Sequence, residues 1–262
     1  MNPAFAYVYD ETAALPRYAT ELGRIETEAS RCGIDGRIAR LGVFRQPKKV
    51  IEEAVNYGAK TIVFVGTDQS VYHHLAALIE LDVTVAFLPL EPNSGLGWAL
   101  GIPTGSKGVE IIAGRLTETI DVGFLNDKPF LTEISLPQTA AAIEVNKKYR
   151  VRPTERGSIA IRNIGSLYCG TKTIAHPADG QLEVVLQSEM RGKGLKHFFR
   201  SELIETKLFL QEGTVVCKDG IHGFVDGSAG LSGTSLHFLI KPKAARVIIG
   251  RSCQWRKDRE KN

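Results

Sequence analysis

The stretch Thr61–Leu81, T-I-V-F-V-G-T-D-Q-S-V-Y-H-H-L-A-A-L-I-E-L, decides the fold of this chain. Thr61 to Val65 is a short β-branched and aromatic run, which predicts a strand covered on both faces of a parallel sheet. Gly66 can take the backbone angles of a sharp turn, and Asp68 or Ser70 can cap a following helix. Val71, Leu75, Leu78 and Ile79 then recur at helical spacing, so one face of that helix packs back on the sheet. A strand-to-helix turn with an acidic residue at a helix N-terminus is where many α/β proteins hold phosphate and metal. A plain structural turn uses the same residues, and the stretch alone leaves both readings open. His73 and His74 project about 100° apart on a helix, so a packing role is favoured over a shared metal.

Working outward, Phe5–Tyr9, Arg37–Leu41 and Val83–Leu88 read as further strands. Helical spacing of Leu22, Ile25 and Ala29, and of Val50, Ile51, Ala54 and Val55, places helices between them, ending near Gly33 and Gly58. Strands alternating with helices predict a Rossmann-like parallel α/β domain. From about Phe124 the texture changes to short strand-like runs: Ala142–Arg152, Ser158–Asn163, Leu182–Gln187, Thr206–Leu210, Thr214–Lys218, Leu236–Ile240 and Arg246–Ile249. Turns rich in Gly and Pro separate them, the pattern of an antiparallel β-sandwich or barrel. The expected division is 1–123 as the α/β nucleotide-binding domain and 124–262 as the β domain.

The 262 residues are 43% hydrophobic and 24% charged, ordinary values for a globular chain. The longest apolar runs fall far short of the about 20 residues of a membrane span, and the N-terminus lacks the pattern of a secretory signal. Cys32, Cys169, Cys217 and Cys253 are scattered, which argues against structural zinc and for a reducing compartment. A cytoplasmic location follows as the expectation. Residues 1–123 carry 11 Lys and Arg against 15 Asp and Glu, so the net charge of +4 comes from the second half. A basic second half suits an anionic lipid surface or a phosphorylated ligand, and charges spread on exposed strands are the plainer alternative. Arg191, Lys193, Lys196 and Arg200 flank His197, Phe198 and Phe199, either a membrane-docking segment or an exposed loop. No nucleic-acid module is recognisable, so nucleic acid is not an expected partner. Open strand edges in the β domain make a homodimer an expectation.

The order of the pieces resembles the catalytic family of diacylglycerol kinases, relatives of sphingosine kinases and NAD kinase. The matching stretches are V-F-V-G-T-D-Q-S (63–70), F-L-P-L-E-P-N-S-G-L-G-W-A-L-G-I-P (87–103) and T-I-D-V-G-F-L-N (119–126). They continue with I-R-N-I-G-S (161–166), H-P-A-D-G-Q-L-E-V-V-L (176–186) and F-V-D-G-S (224–228). The resemblance covers nearly the whole chain in the family's order. It implies an α/β domain followed by a β-sandwich domain, and transfer of the ATP γ-phosphate to a lipid hydroxyl with Mg²⁺. By the same resemblance, Gly66, Thr67, Asp68, Gln69, Ser70, Pro89, Glu91 and Asn93 would hold nucleotide. Asp68 would contact metal or phosphate, and Asp226 would act as general base on the lipid hydroxyl.

The departures fall in those same places. Thr67 and Gln69 replace two glycines of the family's G-G-D-G-T, and a side chain at 69 fills space meant for a phosphate oxygen. Pro89 survives from P-x-G-T-x-N-D, but Glu91-Pro92-Asn93-Ser94-Gly95 replaces the rest, and Glu91 repels polyphosphate unless Mg²⁺ intervenes. Val8-Tyr9-Asp10-Glu11 stands where the family has N-P-x-x-G, and Ser228 replaces the last residue of D-G-E. Asp121 and Asp179 read as turn formers, and Trp98 as apolar filling over the pocket. An active lipid kinase and a catalytically degenerate relative that binds lipid or nucleotide, or scaffolds a partner, both follow from this pattern.

Overall fold

The computed structural model describes residues 5–42, 47–153, 157–167, 172–191 and 201–257. Two compact units emerge, Met1–Ile120 with Lys243–Asn262, and Asp121–Pro242.

In the first unit, β1 (Phe5–Tyr9), α1 (Ala19–Arg31), β2 (Gly36–Arg40), α2 (Pro47–Asn56), β3 (Thr61–Gly66), α3 (Asp68–Ile79) and β4 (Thr84–Pro89) alternate. The strands pair in parallel in the order β2-β1-β3-β4. All residues of β1 and β3 are buried, while the edge strand β2 is largely exposed. That is why F-A-Y-V-Y and T-I-V-F-V are unbroken apolar runs. Leu22, Ile25 and Ala29 of α1, Val50, Ile51 and Ala54 of α2, and Val71, Leu75 and Leu78 of α3 are the buried stripes. These elements match the sequence reading to within two residues.

Two short helices follow that the sequence reading leaves out, α4 (Gly95–Leu100) and α5 (Lys107–Ala113). At 6 and 7 residues each, they are too brief to show a helical period.

The chain passes between units within β5 (Thr117–Leu125). The second unit continues with β6 (Lys128–Phe130), β7 (Glu133–Thr139), β8 (Ala142–Val145), β9 (Tyr149–Val151), β10 (Gly157–Arg162), β11 (Leu182–Arg191), β12 (Ser201–Leu210), β13 (Glu212–Val225) and β14 (Ser228–Ile248). β12, β11, β10, β7 and β13 are neighbours in that order, β14 pairs with β13, β8 adds to β13, and β9 to β8. The pairings are antiparallel. Phe130, Ile134, Leu136, Ile143, Ile159, Ile161, Leu182, Val184, Val215, Leu236 and Phe238 form its core. The result is the expected α/β plus antiparallel β-sandwich arrangement.

The single run Ala142–Arg152 proves to be a hairpin, because Asn146 and Lys147 both take positive φ and turn the chain between Val145 and Tyr149. The run Arg246–Ile249 belongs to the first unit, since the end of β14 pairs in parallel with β4, Arg246 opposite Thr84 and Val247 opposite Val85. A final short helix, α6 (Gln254–Lys257), buries Trp255, whose indole donates to Glu118 at 3.3 Å. No helix among the described residues is long and apolar enough to cross a membrane.

Candidate functional site

The β3–α3 turn carries two carboxylates, Asp10 from the end of β1 and its own Asp68. Asp10 follows β1 directly and is 3% exposed. Its Oδ1 accepts from the Ala13 amide at 2.8 Å and its Oδ2 accepts from the Thr67 amide at 3.0 Å. A Cβ on residue 66 would stand 2.1 Å from Asp10 Oδ2. Gly66 is therefore glycine to admit the carboxylate of Asp10. Thr67 is the N-cap of α3, its Oγ1 accepting from the Ser70 amide at 3.3 Å.

Asp68 turns the other way. Its carboxylate, 9% exposed, accepts from the Gly95 and Leu96 amides at 2.8 and 3.0 Å and from the Ser94 hydroxyl at 2.5 Å. Ser94 Oγ in turn accepts from the Gly97 amide at 2.7 Å. The first amides of α4, with no partner inside the helix, are thus satisfied by Asp68 and Ser94 together. Asp68→Ala should leave two buried amides unpaired and cost about 2–3 kcal/mol. Hydrogen exchange should show the loss concentrated in Gly95–Leu100; a uniform loss across the first unit would contradict this capping role.

The other expected nucleotide contacts spread around this turn. Pro89 ends β4, its carbonyl accepting from the Gly105 amide at 2.8 Å. Glu91 and Asn93 are exposed, and Gln69 and Ser70 are half-buried in the first turn of α3. Trp98 lies on α4 with 36% of its surface exposed. His74 packs against Phe64 with tilted rings, centroids 5.8 Å apart, and burial pulls its pKa below the usual histidine value. Among the described residues, no group of three His, Cys, Asp or Glu side chains converges as a metal site.

Asp226 sits in the second unit. With Gly227 it makes the two-residue turn between β13 and β14, both at positive φ, 49° and 74°. Its carboxylate accepts from the Leu131 amide at 2.9 Å, the Thr132 amide at 2.6 Å and the Thr132 hydroxyl at 2.7 Å. Burial at 3% exposure pushes its pKa up to about 6, outweighing those donors, which pull it down. Asp179 Oδ1 accepts from the Gln181 amide at 3.0 Å, a local turn contact, whereas Asp121 lies within β5 rather than in a turn, and its Oδ2 accepts from the Gly180 amide at 2.8 Å. The basic cluster around His197 and Cys169 lie outside the described residues, apart from the backbone of Arg191.

Asp10 and Ser94 are the residues that sequence reasoning passes over. A signal existed for each. Asp10 stands at the carboxyl end of a parallel strand, where α/β folds place their functional groups, and Ser94 directly precedes an apolar helical run, a capping position.

No protein-family model matches this sequence, and no curated protein matches it significantly. Solved structures do. A diacylglycerol kinase crystal structure from Bacillus anthracis str. Sterne superposes with a TM-score of 0.71 at 14% identity, covering 96% of this chain and 98% of that one. Two structures of provisionally designated diacylglycerol kinases from the same strain give a TM-score of 0.72 each, at 13% and 14% identity over 96% and 95% of this chain. The chain therefore has the diacylglycerol kinase-like fold, carried with little sequence in common.

Proposed function

We propose that this chain is a catalytically degenerate relative of the diacylglycerol kinases, one that binds its lipid without transferring phosphate from ATP. The observation that carries this reading is the hydrogen bond from the Thr67 amide to the Asp10 carboxylate. A phosphate-binding turn works by pointing free backbone N–H groups at an anion. Here the Thr67 amide already has an anion of its own chain, and Asp68 is engaged by the Gly95 and Leu96 amides. Incoming polyphosphate would meet two carboxylates, with the exposed Glu91 next to Leu90, whose amide donates to the Gly66 carbonyl at 2.9 Å. Coulomb repulsion of like charges at short range disfavours that encounter. The residues present do not fit ATP·Mg²⁺.

The lipid part of the reading rests on the fold, whose solved examples are designated as kinases of a lipid. Active transfer to a lipid hydroxyl is the second reading. It is favoured by Gly66, Asp68 and the Ser70 hydroxyl, which remain at the family's positions, with Asp226 as the candidate base.

Calorimetry with millimolar ATP and Mg²⁺, paired with a γ-labelled transfer assay on diacylglycerol vesicles, separates the two. The expected result is no saturable heat and no label in the lipid, while the protein pellets with the vesicles. Saturable ATP binding lost in Asp68→Asn, or label transfer lost in Asp226→Asn, would establish the kinase reading instead. Failure to pellet would remove lipid from the proposal.

A further inference from the structure

The outer face of β8, β9 and β13 carries a groove of about 580 Å³ that the site above does not use. Alternation along these strands sends Ile143, Val151 and Val215 into or against the core of the second unit. Their neighbours Ala142, Arg150, Arg152 and Val216 therefore face the other way. Ala142 is registered opposite Val216, and Arg152 follows Val151, which is opposite Ile143. The trough thus has a floor of Ala140, Ala142 and Val216 and a wall of two guanidiniums, Arg150 on β9 and Arg152 just past its end.

The facing wall comes from a break in register. Between Val216 and Ile221, β13 bulges away from its partner, with Gly220 at φ 96°, and Lys218 stands on this bulge. Of the three cations, Arg150 donates its Nε to Glu144 at 2.9 Å. Arg152 and Lys218 make no ion pair with any described residue. Asp219 is the acidic group lining the groove, so positive charge is in excess there.

A basic wall on both sides of a small apolar floor has a definite complement. Guanidinium forks match the oxygens of a phosphate in paired hydrogen bonds, and an ammonium adds a point charge. Alanine and valine accept a short carbon portion, and the volume lies within the range of small-molecule sites. We propose that this groove binds a phosphate monoester, either free or as the headgroup of a lipid. The groove lies wholly in the second unit, so the inference stands whether or not the β3–α3 turn takes ATP.

The test is calorimetric titration with glycerol 3-phosphate, beside pelleting with phosphatidylcholine vesicles containing phosphatidic acid. At least one probe should bind saturably, with affinity lowered at least about tenfold in R152E/K218E, as expected when charge-assisted contacts are lost. The neutral pair R152Q/K218Q should fall between, and reversal of the exposed Lys60 in the other unit, K60E, should change nothing. Binding of the soluble probe identifies a free phosphate ligand, and binding of vesicles alone identifies a headgroup. Saturable binding of neither probe, or an equal loss in K60E, would overturn the assignment.

Discussion

Gly66→Ala should destabilise the first unit by at least about 2–3 kcal/mol, a fall of roughly 5–10 °C in Tm. The added methyl would lie 2.1 Å from Asp10 Oδ2 and 2.3 Å from its Cγ, well inside contact distance. The carboxylate cannot swing aside cheaply, because it is buried and holds the Ala13 and Thr67 amides. Removing it should relieve the clash while leaving those amides unpaired, itself worth about 2 kcal/mol. Gly66→Ala in an Asp10→Gly background should thus cost much less than in the wild type, a coupling above about 1 kcal/mol. Urea denaturation of the four proteins measures it. Strict additivity would mean that Gly66 serves some purpose other than admitting Asp10, and the main support for a closed turn would be gone.

The second large effect concerns pH. Burial raises the Asp226 carboxyl from 3.8 to about 6, so the folded chain holds this proton more tightly than the unfolded one. Stability from this group is therefore fully present below about pH 4 and is lost as pH rises through about 6. A shift of that size corresponds to about 3 kcal/mol. Asparagine does not titrate, so the stability of the wild type relative to Asp226→Asn should decline by about that amount between pH 4 and pH 7. Denaturation midpoints at several pH values over this range supply the comparison. A flat difference would show that Leu131 and Thr132 fully compensate for the burial, leaving the carboxylate ionised throughout.

Both predictions treat Gly66 and Asp226 as architecture. Gly66-Thr67-Asp68 retains the outline of a phosphate turn, yet the partners that decide its chemistry, Asp10 and Ser94, lie 57 and 26 residues from the groups they engage. Asp226-Gly227 resembles half of a catalytic motif, but the same two letters are the preferred pair for a two-residue hairpin turn. Here both residues take positive φ and make that turn.

What the sequence by itself determined is the part governed by local period and burial. The unbroken apolar runs of β1, β3 and β4 marked a parallel sheet, the stripes on α1, α2 and α3 marked the helices against it, and the loss of helical period after residue 124 marked the β unit. Such patterns survive in a chain only 13–14% identical to its structural neighbours because any apolar side chain of suitable size preserves them. Only the tertiary structure decided where the end of β14 pairs, which carboxylate meets which amide, and that the bulge of β13 stands across a trough from two arginines. Those outcomes depend on contacts between residues far apart in sequence, to which the period of neither partner segment responds.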